Sequence, residues 1–342
     1  MRYAKYQILT VWFVSFVLLG IASANFTSGD EWVKKDNMLD ARCVMASGLI
    51  DGKIYLIGGG NNKVLPIVSE YDPKNDTWTE KAEMPTPRAY ACANVVNGKI
   101  YVTGGFSNDG FGGGLATTEE YNPKTDKWAK KADMPTPRWI FSTAVLDGKI
   151  YAFGGFNREY LADVEEYDPI KDEWTKKKDM SASRAASSSC SMDGKIYVIG
   201  GGIGGMDAKD VDVYDPGTDK WEKRARMSMA RFGLSTSVIN GKIYAIGGGV
   251  SIVINNTFTS RSVNTVEEYD PEKDRWTEKT EMPTSRFYFA QEVVDGKIYT
   301  FGGLSEPSIP LSAVEEYIPE GWPFSVSPER NLIATWGELK RR

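Results

Sequence analysis

Asp51-Gly52-Lys53-Ile54-Tyr55-Leu56-Ile57-Gly58-Gly59 is the stretch that decides how the rest of this chain reads. Asp-Gly is a turn dipeptide whose residues accept positive φ, as a two-residue hairpin of type I′ requires. The five residues after it are strand formers, so the turn joins two antiparallel strands, and the second ends at paired glycines where neighbouring backbone comes close. Copies of the stretch begin at Asn97, Asp147, Asp193, Asn240 and Asp295.

Outward from each copy the intervals are constant. A Tyr follows every one (Tyr71, Tyr121, Tyr167, Tyr214, Tyr269, Tyr317), and a Trp stands seven residues after the first five of these. An Arg comes ten residues after each Trp, and the turn Gly ten after each Arg. Tyr-Asp-Pro closes a third strand, because Pro cannot continue a ladder. The Trp sits on a fourth strand, where it can fill the wedge between neighbouring sheets. Four short strands per unit and 46 to 55 residues between successive arginines predict an all-β, six-bladed propeller with four antiparallel strands per blade. Trp32 precedes Arg42 at the usual spacing with no earlier strand, whereas the last unit ends at Ile318-Pro319 without its Trp. The strand at Trp32 is therefore expected to complete the last blade, which removes an open edge.

The Gly-Gly, Tyr and Trp at these spacings resemble the kelch repeat from Trp32 to Tyr317. The resemblance implies a kelch propeller. Kelch propellers that oxidise substrates with copper use His ligands, and this chain has no His, so that activity is not implied. Secreted six-bladed kelch proteins also include sialic acid mutarotases, which this chain resembles in size, blade number and export signal.

The ends carry separate expectations. Arg2 and Lys5, an apolar run over residues 8–21 and Ala22-Ser23-Ala24 read as a cleaved signal peptide at 1–24. The propeller is expected over 25–319, with 320–342 a tail. Export places the protein in an extracellular or periplasmic compartment, as a monomer with no lasting membrane insertion. The formal charge of -5 becomes more acidic once Arg2 and Lys5 are lost, which argues against nucleic-acid binding. Cys43, Cys92 and Cys190 cannot all pair and lie at different depths in different blades, so they read as free thiols packed like small apolar residues. Gly200 to Gly205 is glycine-rich but lies between strands, where a dinucleotide fingerprint needs a helix. No cofactor and no metal site is expected.

Length variation points to one face. From the second Gly of each pair to the Tyr the gaps are 12, 16, 12, 13, 21 and 14 residues, whereas the other intervals do not vary. All insertions thus fall in loops between second and third strands, the longest at 106–118 and 250–265, and such loops mark the binding side of a repeat protein. Two readings of the arginine column (Arg42, Arg88, Arg138, Arg184, Arg231, Arg286) stand together. It could ring the channel mouth on this face and attract an anion. Alternatively, each Arg could pair inside its blade with the acid just before the Tyr: Glu70, Glu120, Glu166, Glu268 or Glu316.

Just after the Arg some blades carry aromatics (Tyr90, Trp139, Phe141, Phe232, Phe287, Tyr288, Phe289) that could stack on a ligand or pack the wedge. Six residues after the Arg the column reads Gly48, Asn94, Ala144, Cys190, Ser237 and Glu292. Glu292 is the outlier, a carboxylate near a narrow channel, and is the candidate acid/base or ligand-contact residue. The candidate binding set is Arg88, Tyr90, Asn94, Arg138, Trp139, Arg184, Arg231, Phe232, Arg286, Phe287, Tyr288 and Glu292.

The expected function is a secreted binding module for a protein or glycan ligand on the variable-loop face. The alternative is a carbohydrate-active enzyme such as a sialic acid mutarotase, whose anomeric exchange would need an acid/base group and an anion-binding Arg.

Overall fold

A computed structural model describes residues 29–107, 113–203, 206–254, 257–306 and 308–323. The signal expected at 1–24 and the tail from 324 onward lie outside the described residues. At the Asp51-Gly52 turn φ is 50° and 74°, and the five sister turns also keep both residues positive. Each turn joins an innermost strand to a second one. In the first blade Ala46–Ile50, Lys53–Ile57, Val68–Asp72 and Thr77–Lys81 form one antiparallel sheet in chain order. Four more sheets repeat this order. The sixth takes Glu31–Lys35 as its outer strand, with Trp32 opposite Tyr317. Six blades result, and the N-terminal strand completes the last one as the spacing predicts. The innermost strands pack side by side in sequence, and Ala46–Ile50 also packs on Ala290–Val294, so the ring is closed around a central channel.

The paired glycines explain themselves at Gly58 and Gly59. A Cβ on Gly58 would lie 2.5 Å from the Arg88 carbonyl oxygen of the next blade, and one on Gly59 would lie 2.5 Å from the Cys43 carbonyl oxygen. Both also have positive φ, 63° and 84°. Only glycine fits such an approach.

The wedge between blades is filled by the tyrosines within and by the tryptophans at its outer part, where Trp78 meets Phe301 of the last blade (6.0 Å) and Trp221 meets Phe153 of the third (5.9 Å). All six Tyr side chains are 0% exposed. Each Trp, half-buried, covers its Tyr from outside, with ring centroids 4.7 Å apart at Tyr71–Trp78 and 5.1 Å at Tyr269–Trp276. A buried hydroxyl needs a partner. Tyr121 donates to Asp126 (2.6 Å), and the same carboxylate accepts the Ala82 N–H from the preceding blade (2.9 Å). Tyr167–Asp172, Tyr214–Asp219 and Tyr269–Asp274 repeat this tie. At the seam Asp30 accepts N–H groups from Thr280 and Glu320. A methionine four residues before every Arg (Met38, Met84, Met134, Met180, Met227, Met282) is also buried. Past the last strand, the Trp322 indole donates to the Asp295 carbonyl (2.8 Å) beneath Lys297.

Candidate functional site

The arginine column is sealed inside the blades. Arg42, Arg88, Arg138, Arg184, Arg231 and Arg286 are at most 2% exposed. Arg138 is representative. Its Nη1 donates to the Gly154 and Asp163 carbonyls (both 2.9 Å), its Nε to the Thr136 carbonyl (3.2 Å), and its Nη2 to Glu165 (2.7 Å). The partner carboxylates are Glu119, Glu165, Asp212, Glu267 and Glu315, two residues before the Tyr. The expectation of pairing with the acid one residue before the Tyr is therefore corrected. Adjacent strand residues point to opposite faces, so only the residue two back shares the arginine's side. The nearer acids instead hold the hairpin lysines and second-strand tyrosines, as where Glu120 accepts from Lys99 (2.6 Å) and Tyr101 (2.9 Å). Buried in this way, Arg88, Arg138, Arg184, Arg231 and Arg286 do not reach the face as a basic ring.

Two residues after each Arg the chain turns into the left-handed region. Val44, Tyr90, Ile140, Ala186, Gly233 and Tyr288 have φ of 46° to 59°. Their backbones link blade to blade. The Val44 N–H donates to the Tyr288 carbonyl, Tyr90 to Val44, Ala186 to Ile140, Gly233 to Ala186 and Tyr288 to Gly233, at 2.7 to 3.0 Å. These residues narrow the channel to a cavity of ≈ 110 Å³. Positive φ is strained for β-branched Val44 and Ile140, and such strain persists only where surroundings impose it.

On the loop side the predicted aromatics come together around the side chains of two belt residues, Tyr90 and Tyr288. Tyr90 meets Trp139 (5.2 Å) and Tyr288 (5.3 Å), and Phe232 meets both Tyr288 (5.8 Å) and Phe287 (5.7 Å). Phe141 and Phe289 are instead buried in the wedges. Burial pushes the Tyr90 hydroxyl up to about 12. Next to this cluster lies a pocket of ≈ 200 Å³, whose lining includes Phe232, Tyr288, Tyr160, Met206, Asp207 and Ser251. Asp207 accepts from the Ser251 N–H and hydroxyl, tying the fourth-blade loop to the fifth-blade hairpin of Gly249–Ile254 and Thr257–Ser262. Tyr160, Met206 and Asp207 lay in the variable loops, where no repeat column could single them out.

On the other side of the belt the channel is polar. Two connecting cavities of ≈ 270 and ≈ 300 Å³ are lined chiefly by the innermost strands, and Glu292 borders both. Side-chain bonds stitch neighbouring blades: Ser47 to Glu292 (2.8 Å), Asn94 to Thr143 (2.9 Å), Ser188 with Thr236 (2.8 Å) and Gln291 to Ser237 (2.6 Å). Enclosure by protein raises the Glu292 carboxyl to about 7, opposed by the Ser47 bond. Cys92 and Cys190 border the cavities as free thiols, each pushed up to about 12 by burial, and Cys43 is free and buried near the belt. Asn94 and Glu292 thus share the channel, whereas Tyr90, Trp139, Phe232, Phe287 and Tyr288 share the mouth. The strained belt separates the two groups. Among the described residues no cluster of three or more Cys, Asp or Glu could hold a metal ion.

Six wedge-shaped, four-stranded sheets closed around a channel by their own first strand define a six-bladed β-propeller. A model of the FKB95 Kelch-repeats domain matches residues 50–194, and the Kelch motif matches 183–228 and 230–283. The chain belongs to the kelch-repeat propeller family. A solved structure titled "Structure of YjhT" is similar over 82% of this chain and 95% of that one, with a TM-score of 0.74 and 17% identity. At that identity the likeness is one of fold. No curated protein matches the sequence.

Proposed function

We propose that this chain is a secreted binding module that holds a ligand on its variable-loop face, above the aromatic mouth. One observation carries the reading. Among the described residues seven large apolar side chains are exposed, and four of them (Tyr160, Met206, Val253, Ile309) occupy the second-to-third-strand loops of four consecutive blades. Apolar side chains gathered on one face, beside a pocket floored by Phe232 and Tyr288, are the makings of a contact surface. Met, Val and Ile favour a protein ligand over a glycan, because sugars stack on flat rings.

The test uses the mature protein against secreted-protein and glycan panels. Ligands captured by wild type should be lost with Met206→Asp plus Val253→Asp, and with the 250–265 hairpin replaced by the third blade's shorter loop, while melting behaviour is kept. Capture indifferent to both changes overturns the reading.

The alternative, a sugar mutarotase, draws support from a carboxyl that titrates near neutrality in a hydroxyl-lined channel. It also needs an arginine for the substrate's carboxylate, and the six column arginines are all held inside their blades. Anomer exchange of N-acetylneuraminate followed by NMR decides it. Equal rates with and without protein remove this alternative.

A further inference from the structure

The polar half of the channel plays no part in loop-face binding, yet its chemistry is specific. Its entrance lies at the end of the innermost strands where the hairpin turns stand, and four of these turns carry an exposed aspartate, Asp51, Asp147, Asp193 and Asp295. The lysine that follows each turn glycine is spent on an acid of a strand farther out, as where Lys99 pairs with Glu120 and Lys149 with Glu166, which leaves the turn aspartates to raise the local concentration of cations. Further in, Glu292 is the only carboxyl among the described residues that line the two cavities, and no lysine or arginine lines either.

Hydrogen-bonding capacity is left over at the same place. Gln291 is 9% exposed, spends its amide N–H on Ser237, and has no partner for Oε1. Ser189 Oγ is buried and also without a partner. Both border the ≈ 270 Å³ cavity together with Glu292. Those two atoms are fully enclosed by protein, whereas Ser47, Thr143, Ser188 and Thr236 bring partly exposed, hydroxyl-bearing side chains to the same cavity, and a hydroxyl oxygen accepts from an N–H donor.

We propose that the central channel, entered from the hairpin face, is a binding site for a small primary ammonium compound, with Glu292 as its counter-ion and the hydroxyls of Ser47, Thr143, Ser188 and Thr236 along the cavity wall as further acceptors. An ammonium group carries one charge and three N–H donors. A single carboxylate with neutral oxygens matches that set, whereas a divalent metal takes several carboxylates. The cavity volume suits an amino alcohol or an amino sugar.

The carboxyl stands otherwise alone electrostatically. Packed beside it, Ala46–Ile50 and Ser235–Ile239 carry no ionisable side chain. On its paired strand, Tyr299 and Lys297 both bond Glu316. Cys190, which borders the same cavity, is a neutral thiol. An incoming ammonium favours the ionised form of Glu292, so affinity must rise as pH passes upward through about 7.

Binding of ethanolamine to the mature protein, followed by ligand-observed NMR at pH 6 and pH 8, tests this. Ethylene glycol serves as the neutral isostere and potassium chloride at equal ionic strength as the inorganic cation. Ethanolamine should bind several-fold more tightly at pH 8 and lose about tenfold or more in Glu292→Gln, while ethylene glycol and potassium fail to compete. Ser47→Ala, which removes the bond that lowers the carboxyl's pKa, should move the pH midpoint of binding upward. Met206→Asp plus Val253→Asp should leave ethanolamine binding unchanged, which separates this site from the loop face. Equal binding of the glycol, displacement by potassium, a flat pH response, or an unaltered Glu292→Gln variant with native circular dichroism overturns the proposal, as does no binding at all.

Discussion

Ser47 Oγ donates to Glu292 Oε1 across 2.8 Å, and this bond runs from the first blade to the last. It spans the junction at which the ring closes on the channel side, while Trp32 opposite Tyr317 closes it on the outer side. The same carboxyl that helps close the ring is therefore the one that titrates near neutrality.

Stability should show that titration. Glu292 is raised from 4.5 to about 7 in the folded chain. Below the lower value both folded and unfolded chains hold the proton, and between the two only the folded chain does. Its contribution to stability is thus full at low pH and is lost as pH rises from about 4.5 to 7, by at most about 3 kcal/mol. Urea unfolding at pH 5 and pH 8 should show a larger decline for wild type than for Glu292→Gln. Parallel declines would contradict it.

The sealed arginines predict an asymmetry among blades. Removing the partner of Arg138 by Glu165→Ala strands a buried guanidinium and should cost about 3–5 kcal/mol in denaturant unfolding. In the first blade Arg42 meets Ser69 (2.6 Å) where the other blades place Glu or Asp. Ser69→Glu should therefore raise stability, by about 1–2 kcal/mol. A destabilised Ser69→Glu variant would mean that the first blade has no room for the pair.

The left-handed belt predicts an unusual tolerance. Ile to Gly inside a fold ordinarily costs several kcal/mol, but Ile140 sits at φ 46° and is only half-buried, and the fifth blade already carries Gly233 at the equivalent place. Ile140→Gly should be neutral or stabilising by up to about 1 kcal/mol. A loss above about 2 kcal/mol would show that its side-chain packing outweighs the backbone strain.

Repeats made most of the architecture legible. Constant spacing carries blade number, strand order and closure by the Trp32 strand, because in a ring of identical wedges any change of interval breaks the packing of two neighbours. The sealed arginines were half legible. Their regularity signalled a structural role, but which carboxylate they meet depends on strand register, which the column Glu120 and its sisters did not reveal. The methionine column was present in the sequence and simply outshone by the Gly, Tyr and Trp columns.

What the chain's sequence settles by itself is the ring and the face on which its loops vary, since both follow from local turn chemistry repeated at fixed intervals. Only the tertiary structure decides that Tyr90, Trp139, Phe232, Phe287 and Tyr288 share one mouth. It alone decides that a strained backbone belt separates them from Glu292, and that Gln291 and Ser189 border the cavity beside that carboxyl. The reason is geometric. Tyr90, Trp139, Phe232 and the adjacent pair Phe287–Tyr288 stand in different blades, tens of residues apart, as do Ser189 and the adjacent pair Gln291–Glu292, and each group comes together only because the ring brings every blade's inner edge to a common axis.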